Sequence, residues 1–208
     1  MKNIYLKKNE ERRLLQGHLW VFSNEINRID ENIENGDLVQ VLDSTGKLLG
    51  VGFFNKASLI SVRILSRNII KSLKDLLTDR ILIANSIRKE LYPNRNSYRM
   101  VFGESDYIPG LIIDKYNDTF VIQVNSYGVQ KNIELIVDIL KSNFKTSAII
   151  SKNEKHFRTL EGLDEKDEIY FGTLSNELID DGKIKYNIDF SSSQKTGFYF
   201  DQLQIFPL

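Results

Sequence analysis

The sequence contains no cysteine, and it is poor in proline, histidine and tryptophan, with three, two and one of these residues. Without cysteine the chain has no disulfide framework, no zinc ribbon and no thiol nucleophile. Two histidines are too few to indicate a metal centre, and His156, close to Arg158, is interpreted as a surface residue. We therefore predict neither a metal site nor a catalytic residue.

Long apolar runs are also missing. No stretch approaches the roughly 20 apolar residues that a membrane span requires. Charged residues, among them Lys7, Lys8 and Glu10, interrupt the segment in which a signal peptide would lie. These features predict a cytoplasmic protein.

An excess of charge of one sign is absent as well, since 28 basic side chains balance 28 acidic ones. A free-standing nucleic-acid binder more often carries a basic excess. The charges are unevenly distributed, however, with 11 basic and 8 acidic residues in 1–71 against 17 and 20 in 72–208. A nucleic-acid surface is therefore expected in the N-terminal third.

Short strands separated by turn signals fill the first 70 residues. Five or six β-rich segments occur there, with one helical turn over Asn9–Gln16 that Gly17 ends. This spacing predicts a small, strongly bent sheet or pseudo-barrel. We assign Trp20 to its core.

From residue 72 onward, helical and strand patterns alternate. Ser72 is predicted to cap a helix that ends near Leu91, with an apolar face formed by Leu73, Leu76, Leu77, Ala84, Ile87 and Leu91. A second amphipathic helix is predicted over Val129–Leu140, and Asp181-Gly182 predicts a tight hairpin. The fold class is therefore α+β, with a β-barrel over 1–70 and an α/β unit over 72–190 whose helices cover a mixed or antiparallel sheet.

Three segments carry a resemblance to a known family: Leu6–Ile26, Tyr98–Tyr116 and Gln194–Gln202. In order and spacing they resemble the bacterial large-subunit ribosomal RNA cytosine-5 methyltransferases. That family has an N-terminal PUA domain, a small α/β middle domain, and a class I methyltransferase domain that uses S-adenosyl-L-methionine. The resemblance implies a PUA-like RNA-binding domain at 1–70, the middle domain at 72–190, and the segment leading into the methyltransferase domain at 191–208.

The sequence also departs from this family. After Asp201-Gln202 the family continues with Arg-x-Asn-Arg, whereas this chain reads Leu203–Leu208, and Ser193 stands where glycine is common. Methylation of carbon 5 of cytosine requires a thiolate that adds to the ring and activates that carbon, and this chain cannot supply one. No strand is followed by a glycine-rich turn and helix of the kind that binds nucleotide-like cofactors. We expect a chain that ends before the catalytic domain, transfers no methyl group and binds no S-adenosyl-L-methionine.

The resemblance assigns RNA contacts to a basic cluster next to Trp20, consisting of Lys7, Lys8, Arg12, Arg13 and His18. Such a cluster suits phosphate contacts, and a neighbouring aromatic ring suits stacking on a base. In the alternative interpretation, Arg12 and Arg13 pair with Glu10 and Glu11 on a solvated helix face. RNA contact is the prediction for the two arginines.

The third segment would form the edge of the cofactor and substrate cleft in the family, through Gln194, Lys195, Thr196, Gly197, Asp201 and Gln202. The sequence shows no counterpart of the methyltransferase domain against which this segment would pack. We therefore expect the segment to be a disordered tail. The carboxylates of Glu104, Asp106 and Asp114 are interpreted as structural.

The predicted function is RNA binding and substrate positioning, as the N-terminal portion of a ribosomal RNA (cytosine-5) methyltransferase. Ribosomal RNA is the expected partner, and a homodimer is considered. Two alternatives stay open. One is a stand-alone RNA-binding module without catalysis, and the other is an inactive remnant of a disrupted methyltransferase gene.

Overall fold

The computed structural model describes residues 1–173, 176–180, 185–190, 197, 198 and 200. Its N-terminal part contains six strands and one short helix: β1 (Lys2–Leu6), α1 (Arg12–Leu15), β2 (Trp20–Phe22), β3 (Ile26–Ile29), β4 (Leu38–Leu42), β5 (Leu48–Phe54) and β6 (Ile60–Ser66). The remaining elements are α2 (Leu73–Leu91), β7 (Ser97–Phe102), β8 (Leu111–Tyr116), β9 (Thr119–Val124), α3 (Tyr127–Lys131), α4 (Ile133–Asn143), β10 (Ala148–Ser151), α5 (Lys155–Glu161), β11 (Ile169–Gly172), β12 (Glu177–Asp180) and β13 (Lys185–Ile188).

The first six strands form one curled sheet in the order β2-β6-β5-β4-β1-β3. Neighbouring strands are antiparallel except β1 and β4, which run parallel. Glycine in the middle of β5 is required by close packing, because a Cβ on Gly52 would lie 2.2 Å from the carbonyl oxygen of Arg63. The concave side is filled by a cluster of buried aliphatic side chains that includes Ile4, Val21, Val41 and Ile64.

The second sheet has the order β11-β10-β9-β8-β7, with β9 and β10 as its parallel pair. Its strands β8 and β9 are joined through Asn117-Asp118, as the sequence predicted, and Asn117 adopts a φ of 51°. Helices α2 and α4 cover one face and bury the largest apolar cluster of the chain's described part. The α+β fold class is thus confirmed, with a curled half-barrel sheet beside a second sheet that carries helices.

Helix α2 begins as predicted, because Ser72 Oγ accepts a hydrogen bond from the backbone N–H of Asp75 at 3.2 Å. Its predicted apolar face is only partly correct. Leu77, Ile81 and Ala84 are buried, whereas Ile87 and Leu91 are exposed. Residue 87 lies about 120° around the helix axis from residue 81, so its side chain points away from the sheet.

The opposite face of the second sheet is covered by the hairpin of β12 and β13 and by residues further along the chain. The paired strands confirm the predicted hairpin, although the turn at Asp181-Gly182 lies outside the described residues. Phe198 and Phe200 pack against Tyr116 and its buried neighbours. The expectation of a disordered tail is therefore wrong for these two aromatic residues, which find an apolar sheet face to cover.

Within the described ranges, no helix is long and apolar enough to cross a membrane, and no group of three or more His, Asp or Glu side chains is placed to hold a metal ion.

The two sheets contact each other closely where helix α3 meets strand β5. A Cβ on Gly128 would lie 2.1 Å from Cγ of Phe53, which is itself buried. At the edge of this contact, the Lys131 ammonium donates to Asp37 Oδ1 at 2.7 Å and lowers the pKa of that carboxyl group. The junction therefore leaves no room for a side chain at position 128.

We expect Gly128→Ala to destabilise the protein. Alanine favours the helix by about 1 kcal/mol, but the overlap with Phe53 should outweigh this gain and leave a net loss of about 1–3 kcal/mol in the free energy of unfolding. Urea denaturation followed by circular dichroism measures the change. Ser86→Ala, on the exposed side of α2, is the control and should be nearly neutral. A Gly128→Ala protein as stable as the parent would contradict this close packing.

Candidate functional site

A groove of about 640 Å³ lies between the first and second sheets. Strand β2, the loop before β6, the turn after β7 and helix α5 all contribute to it. Large apolar side chains dominate its walls: Trp20, Phe22, Leu59, Phe102, Phe157 and Leu160. Four of them, Leu59, Phe102, Phe157 and Leu160, are exposed to solvent. A groove of this size, with apolar walls and a few polar groups, has the features of a ligand site.

Trp20 belongs to this groove and not to the barrel core, so the core assignment was wrong. The alternation along β2 buries Val21 and leaves Trp20 half-buried. Its indole Nε1 donates to Glu104 Oε1 at 2.8 Å, a bond between the two sheets. The indole N–H needs a hydrogen-bond partner, and this carboxylate provides it at the edge of the groove, not inside the barrel.

A buried carboxylate, that of Glu161, joins the two sheets beneath the groove. Its Oε1 accepts from Ser58 Oγ and from Arg63 Nη2, both at 2.7 Å. Its Oε2 accepts from Asn55 Nδ2 at 2.9 Å and from the backbone N–H of Tyr127 at 3.2 Å. Only 2% of Glu161 is exposed, and its four donors come from three different segments of the chain. A charge this well enclosed is stable only because every acceptor position is used.

Arg63 connects this buried network to the groove. It pairs with Glu161 below and reaches Glu104 at 3.5 Å above, with its guanidinium 5.9 Å from the Trp20 ring. Within the described part of the chain, neither Nε of Arg63 nor Oδ1 of Asn125 has a hydrogen-bond partner, although both atoms are buried. Both residues line the groove. The residues that form the groove wall therefore include one unsatisfied donor and one unsatisfied acceptor, both beneath the surface.

The carboxylates that the sequence suggested as structural are held by arginines or by Trp20. Asp106 receives two hydrogen bonds of 2.6 Å from Arg88, and Asp114 receives bonds of 2.9 and 3.0 Å from Arg99. In both pairs the arginine donates two hydrogen bonds to one carboxylate, a bidentate geometry that fixes the orientation of the two side chains. These contacts support a structural role for Asp106 and Asp114, whereas Glu104 also faces the groove.

The predicted RNA-binding residues lie on and around α1. Lys7, Lys8, Arg12 and His18 are exposed. Lys7 Nζ donates to the carbonyl oxygen of Asn24 at 2.8 Å, and the backbone carbonyl of His18 accepts from Arg67 at the same distance. The cluster is therefore on the surface, as an RNA contact requires, but its members differ in how far they are engaged.

Arg13 is the member of this cluster whose side chain forms an ion pair. It pairs with the buried carboxylate of Glu25 at 3.2 Å and lies over the Phe22 ring at 4.8 Å. The alternative pairing with Glu10 or Glu11 is not what the structure shows for Arg13. Its contacts instead connect α1 to the rim of the groove, because Phe22 of β2 lines the groove.

A second arginine stabilises the junction near the groove. Arg80 of α2 donates to the backbone carbonyl oxygens of Leu65 and Tyr107. Burial lowers the pKa of Arg80, since the charged guanidinium is removed from water. Its bonds fix the end of β6 relative to the turn that carries Glu104.

Of the residues expected at a cofactor cleft, only Gly197 lies within the described ranges; Gln194, Lys195, Thr196, Asp201 and Gln202 lie outside them. Gly197 has a φ of 119°, and a Cβ there would lie 3.1–3.3 Å from Ile188, Tyr116 and Phe190. The predicted close backbone approach is present, but against the covered face of the second sheet.

The described residues lack, after β9, the glycine-rich turn that holds a nucleotide-like cofactor. Their parallel crossover from β9 to β10 passes through Asn125-Ser126 before α3. Neither residue is glycine, which such a turn needs for close approach to a cofactor. The glycine further on, Gly128, already packs against Phe53.

The sequence analysis missed Glu161 and the exposed aromatic Phe157, because it did not predict helix α5. A signal was present, since Gly162 follows the helix and adopts a φ of 71°, typical of a helix C-terminus. Arg63 also gave a signal, as a lone charge inside the otherwise apolar strand β6. An interior charge predicts a partner but does not identify it.

Comparison with known proteins supports the interpretation from the motifs. Residues 4–67 match the PUA-like domain family. The chain is 32% identical over 205 residues to "Ribosomal RNA large subunit methyltransferase I" of Aliivibrio fischeri, covering 96% of this chain and 52% of the relative. The protein of the same name from Vibrio cholerae is also 32% identical, over 203 residues, with 51% of its length covered. The chain thus spans about half the length of these relatives.

Solved structures share the fold. A protein described as a methyltransferase and solved with SAH superposes with a TM-score of 0.78 at 18% identity, over 99% of this chain and 52% of its own. One from Streptococcus mutans, described as SAM-dependent, superposes with a TM-score of 0.76 at 17% identity, over 99% and 53%. At these identities the likeness shows the fold alone.

Removing the Glu161 carboxylate should destabilise the protein strongly. Glu161→Ala leaves Arg63 without its buried partner and leaves Asn55 and Ser58 unsatisfied, so we expect a loss of about 3–5 kcal/mol in the free energy of unfolding. Glu165→Ala is the control, because the Glu165–Lys155 pair of 2.9 Å is solvent-exposed and should contribute at most about 1 kcal/mol. Urea denaturation of both variants measures the loss in the free energy of unfolding for each. Equal, small losses would show that the buried network does not hold the sheets together.

Proposed function

We propose that this chain belongs to the ribosomal RNA large-subunit methyltransferases, of the cytosine-5 class that its motifs resemble. In this proposal it forms the part that binds ribosomal RNA and positions it, acting in the cytoplasm where that RNA is found. The observation that carries the proposal is the 32% identity over 205 residues, which extends through the PUA-like sheet and the second sheet alike. The match of residues 4–67 to PUA-like domains supports an RNA-facing role for the first sheet.

The surface chemistry favours Lys8 and Arg12 as the phosphate contacts. Both are exposed, and neither pairs with an acidic side chain anywhere in the described ranges. Arg13 is less suited to this role, because Glu25 already neutralises it. Lys7 and His18 lie beside them and complete the basic surface in this proposal. Each phosphate neutralised releases condensed counterions, which makes RNA affinity depend on salt.

The methyl donor is a separate matter. S-adenosyl-L-methionine supplies the methyl group in enzymes that bind it, and relatives of this chain are named as methyltransferases. Since the β9–α3 turn lacks the glycine that close approach to a cofactor needs, we propose that the cofactor is held outside the residues described here. The contribution of the described residues is to bind and orient RNA.

Neutralising Lys8 and Arg12 together should weaken RNA binding in a salt-dependent way. The Lys8→Ala/Arg12→Ala variant loses two phosphate contacts, so the slope of log affinity against log salt should flatten by about 1–2 units. Fluorescence anisotropy with a labelled transcript of large-subunit ribosomal RNA, measured from low to moderate salt, gives the slope. Stability should be unchanged, because both side chains are exposed.

The matched control removes two exposed lysines of α2, in Lys74→Ala/Lys89→Ala. It lowers the net charge by the same amount on a different element, so a general charge effect would appear in both variants. If the two double variants have equal slopes, α1 is not the RNA surface. If the parent chain shows no affinity for the transcript, the proposed function itself fails.

The 208-residue chain should bind no S-adenosyl-L-methionine with useful affinity. Isothermal titration should give no saturable heat, and incubation with labelled cofactor and ribosomal RNA should transfer no label above a protein-free control. The described residues lack a glycine-rich turn for close approach to the cofactor, and a sequence without cysteine cannot supply the thiolate that methyl transfer to carbon 5 requires. Saturable binding, or transfer that depends on the protein, would overturn this part of the proposal.

A further inference from the structure

We propose that the groove between the two sheets holds one unpaired nucleobase of the RNA, and that it prefers a base with an exocyclic amino group, such as cytosine or adenine, over uracil. This inference rests on the proposed function, because it requires that the chain bind RNA. It identifies the groove as the binding site and states which class of base the groove prefers.

The walls of the groove suit a flat aromatic ligand. Trp20 and Phe22 lie edge to face with their centroids 6.4 Å apart, so one ring presents its face where the other presents its edge. Phe102 and Phe157 also line the groove and are 48% and 44% exposed, an unusual loss of apolar burial for two phenylalanines. Unstacked RNA bases are commonly held on such aromatic surfaces. The volume of about 640 Å³ is sufficient for a base with its ribose.

Charge decides which part of an RNA can enter. The charged residues that line the groove are Arg63, Glu104 and Glu161, which leaves a net negative charge. Arg13 and Arg99 contact the rim phenylalanines but are neutralised by Glu25 and Asp114. A phosphate would be repelled from these walls, whereas a neutral base would not be. The backbone therefore remains outside, towards the basic residues of α1.

The polar atoms in the groove fit the edge of an amino-bearing base. The Glu104 side chain is 37% exposed, and its Oε2 accepts no hydrogen bond from the described residues. An exocyclic amino group supplies the donor that this oxygen lacks, and a glutamate that accepts from the cytosine amino group is a known pairing. Uracil carries a carbonyl oxygen where cytosine carries the amino group, so it would place one acceptor against another at this position, which carries a free-energy cost.

The single tryptophan of the chain reports directly on the groove, because Trp20 lines it. Fluorescence excited at the red edge of indole absorption is followed while the full chain is titrated with RNA hairpins that differ in one loop base. Hairpins with an unpaired cytosine or adenine should quench Trp20 saturably. A fully paired duplex of the same length and charge should not quench it, although it should still bind through phosphates.

Two groove variants and a matched control test the stacking. Phe102→Ala and Phe157→Ala should each reduce affinity for the cytosine hairpin by about 5- to 100-fold, the range for loss of one aromatic stack. Their salt slopes should equal that of the parent, since no phosphate contact is lost. Phe171→Ala is the control, because Phe171 is 37% exposed but lies on β11, away from the groove, and it should bind as the parent does.

A third variant tests the base preference. Glu104→Gln keeps an oxygen for the Trp20 indole but replaces the second acceptor by an amide donor. The preference for the cytosine hairpin over the uracil hairpin should then fall about tenfold. A parent chain that binds the uracil and cytosine hairpins equally would overturn the preference.

The outcomes separate this site from the proposed function. If all hairpins bind the parent, the Lys8/Arg12 variant flattens the salt slope, and the Phe102 and Phe157 variants bind unchanged, RNA binding stands but the groove is not a base site. A groove that serves an apolar protein segment would give the same result. If no RNA binds at all, both proposals fail together.

Discussion

The buried carboxylate of Glu161 is the interaction on which the site depends. Four donors from Asn55, Ser58, Arg63 and Tyr127 surround its two oxygens, and together they join strands of the first sheet to a helix that packs on the second. A buried charge is costly by itself, so the arrangement is stable only when all of these bonds form at once. Directional bonds of this kind permit one relative placement of the sheets, whereas an apolar contact of the same area would permit several.

This way of joining the sheets also explains why aromatic side chains remain exposed between them. The junction is held by hydrogen bonds around Glu161, by the close fit of Gly128 on Phe53, and by the Lys131–Asp37 pair at its edge. None of these contacts uses Phe102 or Phe157, so both rings stay available in the groove. The apolar surface between the two sheets therefore stays exposed, as expected of a binding surface and not of a core.

Local patterns predicted much of the fold, and tertiary contacts account for what they missed. The cap of Ser72 on α2, the turn at Asn117-Asp118 and the strands of the first sheet depend on residues near in sequence, and they were predicted correctly. Trp20 was misplaced because a lone large aromatic in a β-rich segment is usually core, while its actual partner, Glu104, lies 84 positions away. The role of Glu161 could not be predicted for the same reason, since its donors are gathered from distant segments. The labels attached to 1–70, 72–190 and 191–208 remain predictions.

The zero net charge of the chain argued at first against RNA binding, but the distribution of charge in the structure changes the weight of that argument. Long-range attraction to RNA depends on unpaired basic residues, and these are supplied by Arg12 of α1 and by Lys8 ahead of this helix, even though the totals cancel. Many other arginines, such as Arg63, Arg88 and Arg99, form ion pairs with carboxylates inside the protein, so counting them as RNA-binding charge would be misleading.

Because so many arginines pair with carboxylates, few remain for contacts with phosphates. Selective binding must then come from bases, whose recognition requires aromatic surfaces and unsatisfied polar atoms more than positive charge. The groove beside Trp20 provides both, and for this reason a modest basic surface is compatible with the proposed RNA-binding role.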